Sequence, residues 1–481
     1  MKLIKKIMGT VIVLSLPLTA EQVPSTKELL HIIEQLKARV AKLEASQKRA
    51  QTAQKRMEAE LLDLSDYTEA TETKVLEDKL KFGFGFKTNL DNFHKNYVDG
   101  HRVDSDNIWS TKLMLNMRAN LTDTMKFHGR LSMYKYWGSS VVHPYTYYDN
   151  MQGRVPADSA LYVERAYLDL FFNRDGKIPF ALTIGRQPST DGPSQQFKDN
   201  TARKATYSAL LYDGASDGAV ATWDLSRLLK RPKTYFRLGY AKGFGYTETA
   251  NDVGNAFVGA SNTDLKDTNV VGAFFDTTLP GVRHSLLQVS YSRLFDIIAN
   301  PLDANSSRNV NIGDMDMLGA MAEVTNLKDW GVDLFAHYGY VLAHPNGKGY
   351  LRYGTLLGQK GTHGNKRGFA VWVGGRYGFG EGRRYKLGLE YNHGSRNWVS
   401  LTQGSFDVYN KLATRGDAFE GYVMYVLNRY TNFRLGYVDI RYNYTRSGWF
   451  VGRSVDVDST TQPSSELKRL QSIYLKMSVN Y

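Results

Sequence analysis

The stretch Ser472-Ile-Tyr-Leu-Lys-Met-Ser-Val-Asn-Tyr481 decides the fold. Ile473, Leu475, Met477, Val479 and Tyr481 share one face at period two, and Ser472, Tyr474, Lys476, Ser478 and Asn480 share the other. Successive side chains of a strand point to opposite faces, so one face is apolar and one polar. A lipid-facing barrel strand needs that pattern. Any half-buried edge strand also shows it, so the rest of the chain has to choose.

Working back, the same alternation recurs from Lys79 onward, punctuated by Gly, Asn and Asp. It starts with Phe82, Phe84 and Phe86, passes through Leu113, Leu115 and Met117, and continues through Leu387, Leu389 and Tyr391 to the C-terminal segment. Sixteen such segments are read, an even number, as a bacterial single-chain barrel requires. Their connections alternate in length. Thr122-Asp123-Thr124, Pro280-Gly281, Lys328-Asp329 and Asn428-Arg429 are tight turns, whereas 138–160, 242–268, 343–366 and 443–466 are long loops. Phe127, Phe172, Phe180, Trp223, Phe236, Trp330, Tyr385, Phe433 and Tyr481 all fall beside the tight turns. Aromatic girdles mark such membrane interfaces. A soluble β-propeller would need a blade motif, and none is present. The fold class expected is all-β, a 16-stranded antiparallel transmembrane barrel over residues 79–481.

Composition narrows the function. The 481 residues include no cysteine, which excludes a disulfide scaffold, a cysteine-ligated metal site and an attached haem. Lys and Arg exceed Asp and Glu by 61 to 48, a formal charge of +13. Residues 79–481 alone carry +13, because the first twenty residues (+3) and residues 21–78 (−3) cancel. The basic residues are dispersed through strands, which argues against nucleic acid as a partner. The same alternation turns Lys112, Arg118, His128, Arg130 and Arg165 away from lipid, with Arg118 opposite His128 and Arg130 opposite Asn116. Later strands add Arg237, Arg376, Lys386, Arg434 and Lys476, with Asp276, Glu323, Asp333, Glu390 and Glu420. The interior is therefore expected to be wet, an aqueous channel with an excess of cations that favours anions. The alternative is that many of these charges pair with one another. The ten histidines are scattered, with no triad and no metal spacing, so neither an enzyme nor a cofactor is expected.

The N-terminus differs. Lys2, Lys5 and Lys6 precede an apolar run from Ile7 to Leu18 closed by Ala20, the layout of a signal peptide over 1–20. An uncleaved anchor is the alternative. Residues 21–78 hold one aromatic, Tyr67, and a heptad seam of Leu29, Ile33, Leu36, Val40, Leu43, Gln47, Ala50, Gln54, Met57, Leu61 and Leu64. That spacing predicts a parallel coiled coil, with a lone solvated helix as the alternative.

A signal peptide, a coiled coil, sixteen strands and a terminal aromatic together resemble the trimeric Gram-negative porins. Arg186-Gln-Pro-Ser-Thr-Asp-Gly-Pro and Tyr207-Ser-Ala-Leu-Leu-Tyr-Asp-Gly resemble an uncharacterised family of Gram-negative outer-membrane porin-like proteins with an N-terminal coiled coil. Arg165-Ala-Tyr-Leu and Gly185-Arg-Gln are more distantly similar to the phosphate-selective porins, without their ladder of arginines. The resemblance implies a homotrimer in the outer-membrane lipid, with the coiled coil in the periplasm; a structural protein that contacts peptidoglycan through that coiled coil is the alternative function. It implies passive diffusion of small hydrophilic or anionic solutes. It also implies that the third long loop, 185–214, folds into the lumen. Asp191, Lys198, Asp199, Arg203 and Lys204 would then stand at the constriction; with the loop outside, they would be surface charges.

Overall fold

The computed structural model describes residues 34, 37, 38, 40, 41, 44, 80–137, 161–187, 191–214, 216–243, 268–299, 310–349, 354–401, 407 and 409–481. The chain divides into two units, Met1–Asp78 and Lys79–Tyr481. In the first, Glu34, Lys37, Ala38, Val40, Ala41 and Glu44 are helical and exposed. Of the seam only Val40 is among them. Leu29, Ile33, Leu36, Leu43, Gln47, Gln54, Met57 and Leu61 lie outside the described residues, as does the signal peptide.

The second unit is a closed antiparallel barrel. Its strands are β1 (Leu80–Tyr97), β2 (Arg102–Thr122), β3 (Met125–Tyr136), β4 (Tyr162–Phe172), β5 (Phe180–Arg186), β6 (Asp217–Asp224), β7 (Tyr235–Gly243), β8 (Thr268–Thr277) and β9 (Ser285–Phe295). A two-residue ladder of β10 (Ile298–Ala299) and β11 (Val310–Asn311) stands apart. The barrel resumes with β12 (Gly313–Leu327), β13 (Val332–Pro345), β14 (Lys366–Phe379), β15 (Tyr385–Gly394), β16 (Gly416–Val426), β17 (Thr431–Tyr442) and β18 (Leu467–Asn480). Each barrel strand pairs with its sequence neighbour in the wall, and β18 returns to pair with β1, so sixteen strands close the ring. These are the sixteen segments that the alternation marks in the sequence.

Alternation becomes burial. On β13, Phe335, His337 and Val341 are buried while Leu334 and Tyr338 face outward. The outer wall exposes large apolar side chains throughout, such as Leu389 at 64% and Leu435 at 56%. Water makes such a surface costly, and hydrocarbon does not. Phe172, Phe180, Trp223 and Phe236 follow one another along the short-turn rim with ring centroids 5.6, 5.3 and 5.8 Å apart. Phe379, Tyr385 and Tyr425 continue the belt at 5.7 and 5.3 Å. Among the described residues no helix is long and apolar enough to cross a membrane.

The wet interior expected from the sequence fails over part of the circumference. Met315, Met317, Phe335, Val341, Ala370 and Trp372 point inward from β12, β13 and β14 and are fully buried or nearly so. Long loops fold down onto them with Leu210, Leu211, Leu356, Trp398, Leu412 and Phe450, making a hydrophobic core inside the lumen. Arg415, wholly buried, ties that cap together by donating to the carbonyls of Trp398, Thr445 and Trp449. The physical reason is that the inner faces carry these apolar side chains beside the long loops, so loops rather than water cover them.

Candidate constriction inside the barrel

The third long loop enters the lumen. It carries a short helix, Gln195–Asp199, and crosses to the far wall. One anchor is polar. The His337 ring sits between two serines of the loop, with Nε2 2.9 Å from Ser194 Oγ and Nδ1 2.7 Å from Ser208 Oγ. Ser194 donates to Glu323 at 3.1 Å, so Nε2 carries the proton and Ser208 donates to Nδ1. A second anchor is apolar. Gly319 and Gly339 face each other across β12 and β13, and Leu211 lies in the space their missing side chains leave. A Cβ on Gly319 would come within 2.1 Å of Leu211 Cδ1.

The third anchor is ionic. Lys198 donates to Asp407 at 3.0 Å and to Glu420 at 2.9 Å. Lys411 reaches Glu420 and Glu390, and Lys476 reaches Asp407 at 2.7 Å. Tyr474 donates to Glu420 at 2.6 Å, and Arg434 donates to the Lys198 carbonyl. Burial works to discharge Lys198, but Asp407 and Glu420 outweigh it and hold the ammonium well above its usual range. Charges this deep are tolerated only when paired.

The predicted residues fall into two groups. Lys112, Arg130, Arg165, Asp191, Lys198 and Asp199 come together in ion pairs. Arg130 touches Asn116 at 2.7 Å, Glu164 at 3.1 Å and Asp191 at 3.1 Å. Lys112 reaches Glu164 at 3.0 Å, Arg165 reaches Asp191 at 3.5 Å, and Asp199 reaches Lys87 at 2.5 Å. His128 is partly exposed, 3.3 Å from Asp169 and stacked on Tyr167. Arg118 and Arg203 are exposed and Lys204 is half-buried; among the described residues none of the three has an ion pair. Arg118 does stand opposite His128. Burial, then repulsion from Lys87, pushes the Lys204 ammonium down to about 8.

Sequence reasoning missed Glu164, Lys87, Asp407 and Lys411. Strict alternation turns Glu164 toward lipid, beside Ala166 and Leu168. A β-bulge intervenes: Arg130 pairs with Arg165 and Leu131 with Val163, which leaves Glu164 extra. Glu164 then joins Arg165 on the inner face. The signal was there, since a carboxylate assigned to the lipid face is itself a warning. Asp407 and Lys411 lie in a loop, where no period points to them.

Together these groups pack the loop against the wall with little space between. Lys87, Lys198, Arg434 and Lys476 face Asp191, Asp199, Asp213 and Asp407 around a cavity of about 10 Å³. That is room for about one water. Four cations meet four anions, so the lining itself gives no net bias to anions.

No curated protein matches the chain. Among solved structures, OmpF of Salmonella typhi, in complex with daunomycin, is similar at 9% identity and a TM-score of 0.45, over 85% of this chain and 99% of that one. OmpT, an outer membrane protein of Vibrio cholerae in its trimer form, is similar at 12% identity and a TM-score of 0.43, over 84% and 100%. Neither likeness extends to function. Residues 102–481 match the family described as Protein of unknown function (DUF3373), and the chain, all but β1 of its barrel included, belongs to that family.

Proposed function

We propose that this protein is a bacterial outer-membrane porin, giving small hydrophilic solutes a narrow passive path with a bias to anions. The observation that carries the reading is a closed barrel, apolar and aromatic-banded outside, whose lumen is narrowed by a charged inward loop. No catalysis and no cofactor enter. Assembly as a homotrimer, and contact of residues 21–78 with the periplasm or cell wall, belong to the same reading. The bias rests on cations for which the described residues supply no ion pair, among them Arg118, Arg203 and Lys204.

Planar-bilayer recording of the full chain tests this. A small single-channel conductance is expected, below that of an open barrel of sixteen strands. Arg118→Ser with Arg203→Ser should move the reversal potential toward cations. Arg130→Ser should instead lower stability, because it takes from the buried Glu164 one of its two cations and leaves it Lys112. Raising the pH through about 8 should weaken anion preference as Lys204 loses its proton. Lys204→Met should abolish that pH dependence; an unchanged profile would remove Lys204 from the path.

The packed lumen favours one second reading, a structural outer-membrane protein tethered through its N-terminal segment. Absence of conductance in folded, reconstituted protein would select it.

A further inference from the structure

The basic residues of the barrel gather at one place on its short-turn rim. Among the short connections, residues 225–234, between β6 and β7, are the longest. They read Leu-Ser-Arg-Leu-Leu-Lys-Arg-Pro-Lys-Thr and hold Arg227, Lys230, Arg231 and Lys233 with no carboxylate. The connection 173–179, before β5, adds Arg174 and Lys177 against Asp175. The connection 278–284, after β8, adds Arg283. β5 pairs with β6 and β7 with β8, so the three connections stand side by side below β4 to β9. That is about 24 Å of rim at about 4.8 Å per strand.

Neighbouring acids do not offset this charge. At the level of the turns only Asp175 and, at the end of β6, Asp224 stand against the seven cations. Higher on the inner wall, Asp276 is taken by Arg237 at 2.6 Å. Asp169 is taken by Thr183 at 2.6 Å and His128 at 3.3 Å. One connection further round on either side the charges cancel, Asp123 with Lys126 and Asp329 with Lys328. Among the described residues none of the seven cations has an ion pair, and all but Arg231 are exposed.

The turn itself is held in shape. Ser226–Leu229 make one helical turn, and the Thr234 N–H donates to Ser226 Oγ at 3.0 Å. Arg227 donates to the Gly176 carbonyl at 2.8 Å, which ties 225–234 to 173–179. Leu228 and Leu229 stand exposed among the cations. Directly above runs the aromatic belt of Phe172, Phe180, Trp223 and Phe236, on β4 to β7.

A basic tip continuous with an apolar, aromatic-banded wall suits one kind of partner. Lys and Arg close to a bilayer surface attract anionic headgroups, each adding to the binding. Exposed leucines beside them fit the boundary between headgroups and acyl chains. We propose that these three connections form a docking site for anionic phospholipid of the inner leaflet. The inference rests on the outer-membrane reading, which puts the short turns on the periplasmic side.

The test uses full-chain protein purified in detergent and titrated with phosphatidylglycerol or with zwitterionic phosphatidylethanolamine, the bound lipid being counted by native mass spectrometry. The wild type should hold phosphatidylglycerol about tenfold more tightly. Lys230→Gln with Arg231→Gln and Lys233→Gln should erase that preference. Among the described residues these three side chains make no hydrogen bond or ion pair, so the fold should survive their loss. Lys348→Gln with Lys360→Gln and Arg367→Gln removes the same charge from the long-loop side and should leave the preference intact. No preference in the wild type, a preference kept in the first variant, or an equal loss in the second overturns the proposal. Displacement of the lipid by inorganic phosphate would make the rim a plain anion site and would also overturn it. Co-sedimentation with purified peptidoglycan in place of a lipid preference would give the rim to the cell wall, with the same result. Conductance measured on the same samples keeps the two readings apart: a conducting wild type that does not distinguish the lipids refutes only the docking site.

Discussion

Glu420→Ala should release the inward loop and raise single-channel conductance severalfold. Glu420 is almost completely buried, and it accepts from Lys198, Lys411 and Tyr474. Removing it leaves two ammonium groups with one fewer carboxylate in a site that water scarcely reaches. Breaking a buried pair in this way costs about 3–5 kcal/mol. The loop has a cheaper response than global unfolding, because withdrawing Lys198 into solvent relieves the strain. Proteolysis between β5 and β6 should then become faster. Glu420→Gln separates charge from shape: it keeps an acceptor but not the charge, and should fall between wild type and alanine. Unchanged conductance in Glu420→Ala would mean that the loop does not narrow the path.

Gly319→Val attacks the same loop from its apolar side and should also enlarge the lumen. The new side chain meets Leu211 Cδ1 at the very first carbon. Overpacking of this kind costs about 1–3 kcal/mol, and the losing group is Leu211, which sits on a loop rather than a strand. Leu211→Ala alone should destabilise by about 2–5 kcal/mol, since it empties a fully buried site. The double variant is the sharper test. Gly319→Val with Leu211→Ala should be less damaged than the two changes added together, because each relieves the other. Additive effects would show that the two residues do not meet.

The two experiments address what the sequence could and could not reveal. Strands were legible because lipid outside and a covered inner face impose a period of two on Phe82-Phe84-Phe86 and on Ile473 through Tyr481 alike. Register was legible at tight turns, which is why Arg118 and His128, or Arg130 and Asn116, could be set opposite each other. The contents of the lumen were not. Met315 and Met317 share the inner face of β12, while Asp314 and Asp316 point outward above the apolar belt. That inversion is visible in the sequence, but its meaning depends on Leu356, Trp398, Leu412 and Phe450 folding over it. Ion pairs such as Lys198–Glu420 span 222 positions, and no local pattern reports them. The bulge at Glu164 defeated the alternation outright.

The inward loop also has a place in time. Apart from β1, held through Lys87, it precedes in the chain the strands it grips on the far side: β12 through Glu323, β13 through His337, β14 through Arg376, β16 through Glu420 and β17 through Arg434. A wall already sealed would leave little room to thread it in. The later hairpins therefore wrap around it as around a mandrel, and β18 seals the cylinder on β1 last. Contacts of such long range make folding slow. They also give the nascent barrel a template, so that trimming the loop should leave more chains unsealed than any loss of final stability explains.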